Sequence, residues 1–162
     1  MSHPAAKPTI SSVENCSITG TVEALGDTWS ILVIRELFYG VRRFNDMQTE
    51  LGISRSVLTD RLARLIRLDV VRTEPYQETG DRVRKQYRLT PKGVALLHVV
   101  IALMEWGDEF LNERKGGVTL HDRETGDPIR LELRTAAGKR VEAKEIEIRL
   151  REDGRISRRA GR

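Results

Sequence analysis

Arg55, Ser56, Thr59 and Asp60 fall close together in the run SRSVLTDRLARLIRL at 54–68. An arginine fork can bridge the N7 and O6 acceptors of guanine, a carboxylate can accept from cytosine N4, and short hydroxyl side chains can bond to base edges of either kind. On adjoining turns of one helix, these four groups are suited to reading base edges in a groove. Cations surround them. Arg43 precedes the run, Arg61, Arg64 and Arg67 follow on it, and Arg82, Arg84, Lys85 and Arg88 come after. Such side chains neutralise phosphates without reading sequence. A solvated charged face on an ordinary amphipathic helix is the commoner meaning of this pattern alone, and Asp60 could serve only to orient a neighbouring arginine. The neighbouring elements must decide.

The run itself has the spacing of a short helix. Leu58, Leu62 and Leu65 recur at i, i+4 and i+7 and make one apolar stripe, with Ser56, Asp60, Ala63 and Arg67 opposite. Ser54 can accept from the first unpaired amides, and LGI before it supplies a tight turn out of a preceding helix. A helix, a glycine-containing turn and a second helix that begins with short polar and basic residues form the layout of a helix-turn-helix. In that layout the first turns of the second helix meet base edges in the major groove.

The chain has 162 residues, enough for one domain with a small appendage. Its 39% hydrophobic and 32% charged residues describe a soluble protein, and its net charge of +4 favours an anionic partner. Residues 42–88 hold eleven Lys/Arg against seven Asp/Glu, so this stretch alone accounts for an excess of +4. The first fifteen residues lack the pattern of a secretory signal, and no window of 18 apolar residues offers a membrane span. A single cysteine, Cys16, excludes an intramolecular disulfide framework and suits a reducing compartment. These features lead to the expectation of a cytoplasmic protein with no membrane partner. His3, His98 and His121 are scattered, and neither a glycine-rich phosphate loop nor a nucleophile–base arrangement occurs. No enzyme and no cofactor are expected.

In chain order, residues 1–14 read as a mobile arm. Helical spacing begins near Ser17, Gly26 and Asp27 interrupt it, and TWSILVIRELF continues it to Gly40. A third helix follows, with Phe44, Met47 and Leu51 inward, before the helix over 54–68. After Asp69 the period changes from 3.6 to 2. VVRTEPY and RVRKQYRL read as strands around a Thr-Gly-Asp turn, with Val83, Tyr87 and Leu89 on an apolar face and Arg82, Arg84, Gln86 and Arg88 on a cationic one. A basic hairpin directly after a helix-turn-helix is a wing, here over 70–89. Thr90 and Pro91 then open a helix from Val94 to Leu111 that is too apolar to have a wet face. We expect it and the first helix to bury that surface in a symmetric homodimer, which sets two recognition helices about one DNA turn apart. Beyond Gly117, alternation at Ile129, Leu131 and Leu133 and again at Ile146, Ile148 and Leu150 reads as strands around an AAGK turn. The expected class is α+β: a winged helix-turn-helix core with a long dimerisation helix over 15–115, a small C-terminal β appendage over 116–151, and a basic disordered tail over 152–162.

In order, CSI at 16–18, LGDTWSILVIREL at 25–37, GVRRF at 40–44, GISRSVLTDRL at 52–62, YRLTPKG at 87–93 and EWG at 105–107 resemble the HxlR-type group of winged-helix bacterial transcriptional regulators, relatives of the MarR proteins. The resemblance covers Cys16 to about Trp106. It implies a homodimeric, sequence-specific regulator on a palindromic operator of double-stranded DNA, with the recognition helix over 54–68 in the major groove and the wing on the flanking groove. Trp29, Leu37, Phe44, Leu58, Leu62, Leu65 and Leu89 would be scaffold. The alternative is a winged-helix module that grips an acidic protein partner.

Two departures qualify the resemblance. Similar proteins with an extra C-terminal part often carry cysteine pairs there, whereas this chain has Thr125, Thr135 and Ala137 and leaves His121 alone. A tetrahedral site needs about four N or S ligands, so no structural zinc is expected. The resemblance also implies that Cys16, beside the first helix, could be a redox sensor, since a thiol at a helix N-terminus has a lowered pKa. A small, partly buried cysteine with no signalling role is the favoured reading, because neither pKa nor exposure is legible in sequence. Whether an effector is redox-active or an unknown small molecule is left open.

Overall fold

The computed structural model describes residues 16–148 apart from 79, 81, 112, 114 and 115, together with the backbone of 151–152 and 155–156. The arm expected over 1–14 and most of the expected tail lie outside the described residues. Among the described residues, six α-helices and a two-stranded wing give the α+β winged helix-turn-helix architecture expected from the sequence.

The first helix, α1 (Ser17–Leu25), stops at Gly26, whose N–H bonds to the Val22 carbonyl. Asp27 then caps α2 (Thr28–Phe38), its Oδ1 accepting from the Ser30 N–H at 3.1 Å. This capping carboxylate satisfies one of the unpaired first-turn amides. The middle of the core is α2, which buries Val33, Ile34 and Leu37. Against it pack α3 (Phe44–Leu51), through Met47, and α4 (Arg55–Arg67), through Leu58, Leu62 and Leu65. Each of these fully buried aliphatic side chains contributes about 1.5–3 kcal/mol relative to exposure.

The wing consists of β1 (Val71–Tyr76) and β2 (Arg84–Leu89), antiparallel with Val71 opposite Leu89 and Tyr76 opposite Arg84. Val71 is buried, and Tyr87 and Leu89 pack on the core from the same face. The face assignment needs one correction. Val83 precedes β2 and is 60% exposed, while Lys85 shares the Tyr87 and Leu89 side of the strand. Period-2 spacing gives the side but not the depth, and the core ends at Tyr87.

The single apolar helix expected after the wing is two helices. Thr90 caps α5 (Pro91–Ala95), accepting from the Gly93 N–H at 3.1 Å, and α6 (Leu97–Phe110) follows a break at Leu96. The break is a tightened turn, with the Leu96 N–H on the Gly93 carbonyl and the Val99 N–H on that of Leu96. A close backbone approach at Gly93 fixes α5 against the start of β1, leaving α6 to turn and lay Val100 and Ile101 inward.

The appendage departs further from expectation. Its described residues form two antiparallel loops with isolated bridges, His121 to Pro128 and Arg134 to Arg140. The Leu120 carbonyl accepts from Ile129, and that of Leu133 accepts from Val141, each at 2.8 Å. Of the strand expected over Ile146, Ile148 and Leu150, Leu150 lies outside the described residues; a 3₁₀ turn at Ala143–Glu145 precedes the rest, and no strand is formed at 146–148. Alternation makes these segments extended, but each loop offers only one short neighbour to pair with, too little for a standing ladder. A two-residue pairing of β3 (Arg151–Glu152) with β4 (Arg155–Ile156) reaches into the stretch expected to be disordered. The appendage rests on α6, where Glu105 Oε1 accepts from the Leu131 N–H at 3.0 Å.

Candidate nucleic-acid interface

The turn between α3 and α4 aims the recognition helix. Gly52 takes a left-handed conformation (φ 62°) and its N–H bonds to the Gln48 carbonyl at 3.0 Å, ending α3. The buried Ile53 follows, and the Ser54 hydroxyl accepts from the Val57 N–H at 3.3 Å to begin α4. With Leu58, Leu62 and Leu65 turned to the core, Arg55, Ser56, Thr59, Asp60 and Arg67 are exposed on the other side. These include the four side chains expected to meet bases. The Arg55 guanidinium lies 4.8 Å from the centre of the Phe44 ring, which carries the fork at the start of α4. The Thr59 hydroxyl donates to the Arg55 carbonyl at 2.8 Å, which leaves its oxygen free to accept. The Ser56 and Ser54 hydroxyls are 3.0 Å apart.

Two arginines of the same helix point elsewhere. Arg64, expected on phosphate, instead donates from Nε to the Ala24 carbonyl at 2.8 Å and from Nη2 to the Glu23 carbonyl, closing the end of α1. Arg61 pairs with Asp27 Oδ2 at 2.6 Å. Position on a helix wheel sets the direction of a side chain, but only the placement of the end of α1 and the turn after it beside Arg64 and Arg61 decides that these two meet carbonyls and a carboxylate. Cations at a helix C-terminus are favoured by its unpaired carbonyls. Replacing Arg64 with Met should therefore lower stability by about 1–2 kcal/mol, measured by denaturant unfolding. An unchanged midpoint would show that these bonds contribute nothing in solution. Lys92 plays a similar part that the sequence did not disclose, its Nζ donating to the Leu68 carbonyl at 2.7 Å at the end of α4.

On the wing, Arg84, Gln86 and Arg88 share a face with Arg72 and Glu74, and Arg82 is exposed just before β2. That face is less cationic than expected. Glu74 pairs with both Arg72, at 2.8 Å, and Arg88. Neither Arg72 nor Glu74 is among the candidate residues, because the sequence assigns faces only on the second strand. Arg43, before α3, reaches the wing, where it lies 4.9 Å from the centre of the Tyr76 ring and pairs with Glu78. The Glu78 hydrogen bond holds the Arg43 guanidinium above its ordinary pKa.

A second feature lies away from the basic side. Val99, Leu103, Trp106 and Phe110 form one exposed stripe on α6, and Ile18 and Val22 are exposed on α1. Between them runs an apolar cleft of about 580 Å³, lined by Ile18, Val22, Leu25, Ile31, Val99 and Leu103. Cys16, half-buried, precedes α1. The Thr19 N–H, then the Thr19 side chain and the Ile18 N–H, hold its thiol below the usual cysteine value. His121 bonds to the Gly126 carbonyl and the Thr119 hydroxyl. Among the described residues no group of three or more His, Cys, Asp or Glu could hold a metal ion, and no helix is long and apolar enough to cross a membrane.

Comparison with known proteins agrees with this geometry. The uncharacterized helix-turn-helix-type transcriptional regulator MT3179 of Mycobacterium tuberculosis (strain CDC 1551 / Oshkosh) is 40% identical over 103 residues, a match that spans 64% of this chain and 64% of that relative's length. A similar regulator of Synechocystis, sll1512, is 35% identical over 114 residues, covering 70% of this chain and 83% of its own. The crystal structure of PA1607, described as a candidate transcription factor, superposes with a TM-score of 0.72 at 31% identity, over 83% of this chain and 94% of that one. Residues 24–115, from the end of α1 past the end of α6, match the model of the HxlR-like helix-turn-helix family. With the fold, the turn and the wing all present, this chain belongs to that family and has the helix-turn-helix DNA-binding fold of a transcriptional regulator.

Proposed function

We propose that the chain is a homodimeric, sequence-specific regulator of transcription that binds a palindromic operator. The observation that carries this reading is the outer face of α4, where Arg55, Ser56, Thr59 and Asp60 are exposed together above a fully buried leucine stripe. In this reading they meet base edges in the major groove, Arg67 follows the phosphates, and the wing, with Arg82, Arg84, Lys85 and Arg88, reaches the flanking groove. The dimer forms through the apolar stripe of α6 and the exposed side of α1, which join two half-sites into one inverted repeat. An effector, if one acts, has two places to do so: the apolar cleft between those helices, or the Cys16 thiol.

The test is selection of bound duplexes from a random library, followed by anisotropy on the winner. The expected result is an inverted repeat with half-sites about one helical turn apart, bound at least roughly 1000-fold over random duplex. Replacing Arg55 with Ala should relax preference at one position of each half-site, at a cost of about 1–3 kcal/mol against the original base. The Arg64 variant should leave the slope of affinity against salt unchanged, since its guanidinium is not spent on phosphate. No enriched sequence, with binding lost at physiological salt, would favour instead a winged-helix module that grips an acidic protein.

A further inference from the structure

Among the described residues of the wing, two carboxylates, Glu74 and Glu78, lie against arginines. Glu74 shares one strand face with Arg72 and Arg88, which the register sets opposite one another. One of its oxygens meets Arg72 Nη2 at 2.8 Å and the other meets Arg88 Nε. At the far end of β1, Glu78 holds Arg43, already stacked on Tyr76. Three arginines of the basic side are thus paired within the protein. A carboxylate and a phosphodiester each offer two anionic oxygens, and both accept the guanidinium fork in the same manner.

We propose that Glu74 and Glu78 stand in for DNA phosphates, holding Arg72, Arg88 and Arg43 in the absence of a duplex and competing with the backbone for them. This rests on the reading of the wing as a DNA contact. A phosphate that takes one of these arginines exchanges one ion pair for another and leaves a carboxylate beside a polyanion. Each such contact therefore gains less than a free cation would, and it displaces fewer condensed counterions. The two carboxylates hold down sequence-independent affinity and flatten its salt dependence, which leaves the base-reading face of α4 a larger share of the binding.

The experiment compares Glu74→Gln, Glu78→Gln and the parent on a random-sequence duplex, by anisotropy across a salt series. Glu124→Gln, in an exposed turn of the appendage, makes the same change of net charge away from the wing. Each wing variant should bind about 3- to 10-fold more tightly at low salt, and its plot of log affinity against log salt should steepen by about one. The Glu124 variant should match the parent. Equal tightening of all three variants would reduce the effect to net charge and overturn the proposal. So would weaker binding with a lowered melting temperature in the wing variants, which would mean that the carboxylates only brace the hairpin. A parent that selects an operator while both wing variants match it on random duplex overturns this inference alone. A parent that binds no duplex at any salt overturns the reading of the wing as well.

Discussion

Leu103→Glu should give a protein with the mass of a single chain in light scattering at about 10 µM, and its operator affinity should fall by about 100-fold or more, the avidity of paired half-sites. Val99, Leu103, Trp106 and Phe110 follow one another at steps of four, three and four, so they line up along one side of α6. All four are exposed in the isolated chain, Phe110 at 68%, and Ile18 beside them on α1 is 74% exposed. Exposed apolar side chains in a row are what the proposed symmetric interface would cover. Leu103 lies mid-stripe and half out of the protomer core, so a charge there disturbs the single chain little. In a symmetric pair it sets two carboxylates in one apolar seam, where an unpaired ion is poorly tolerated. Retention of dimer mass by this variant and by Val22→Glu on the facing helix would show that the copies meet elsewhere, or do not meet.

Gly93→Ala should destabilise the domain by about 3 kcal/mol, the upper range for forcing atoms into a filled space, and lower the melting temperature by about 10 °C. A Cβ on Gly93 would lie 2.1 Å from the Val70 carbonyl oxygen and 3.1 Å from Leu89 Cδ2. The carbonyl cannot retreat freely, because it accepts the Thr90 N–H at 3.0 Å, and the Thr90 hydroxyl also donates to Asp69 at 2.6 Å and caps α5. One methyl group therefore strains the junction of α4, the wing and α5 at once. Thermal unfolding monitored by circular dichroism reads the effect, and a shift under about 2 °C would mean that α5 moves away at little cost.

The parts of this molecule that were legible in the sequence are those fixed by neighbours along the chain. Leu58, Leu62 and Leu65 announced α4 through spacing alone, and Ser54 and Thr90 announced helix starts because a cap acts within three residues of itself. Thr90 is a case in point, since its capping bond matched expectation while its second bond, to Asp69, had no local signal. What remained hidden depends on contact between distant segments. Arg64 lies 40 positions from the carbonyl it closes, and no periodicity distinguishes it from Arg67, which points to solvent. The break at Leu96 follows from the approach of Gly93 to Val70, and the partial neutralisation of the wing follows from the register that brings Glu74 to Arg88. In the appendage the apolar alternation at Ile129, Leu131 and Leu133 predicts a strand that the structure does not form, because a strand needs a partner of matching length and only isolated bridges are present.

The grip of Arg64 on α1 has a mechanical consequence. Its guanidinium spans the last carbonyls of one helix and the flank of another, and Arg61 adds a strut to the loop that follows. The C-terminal end of α1 and the turn after it are therefore tied to α4 by two side chains of that helix, besides the chain connection through α2 and α3.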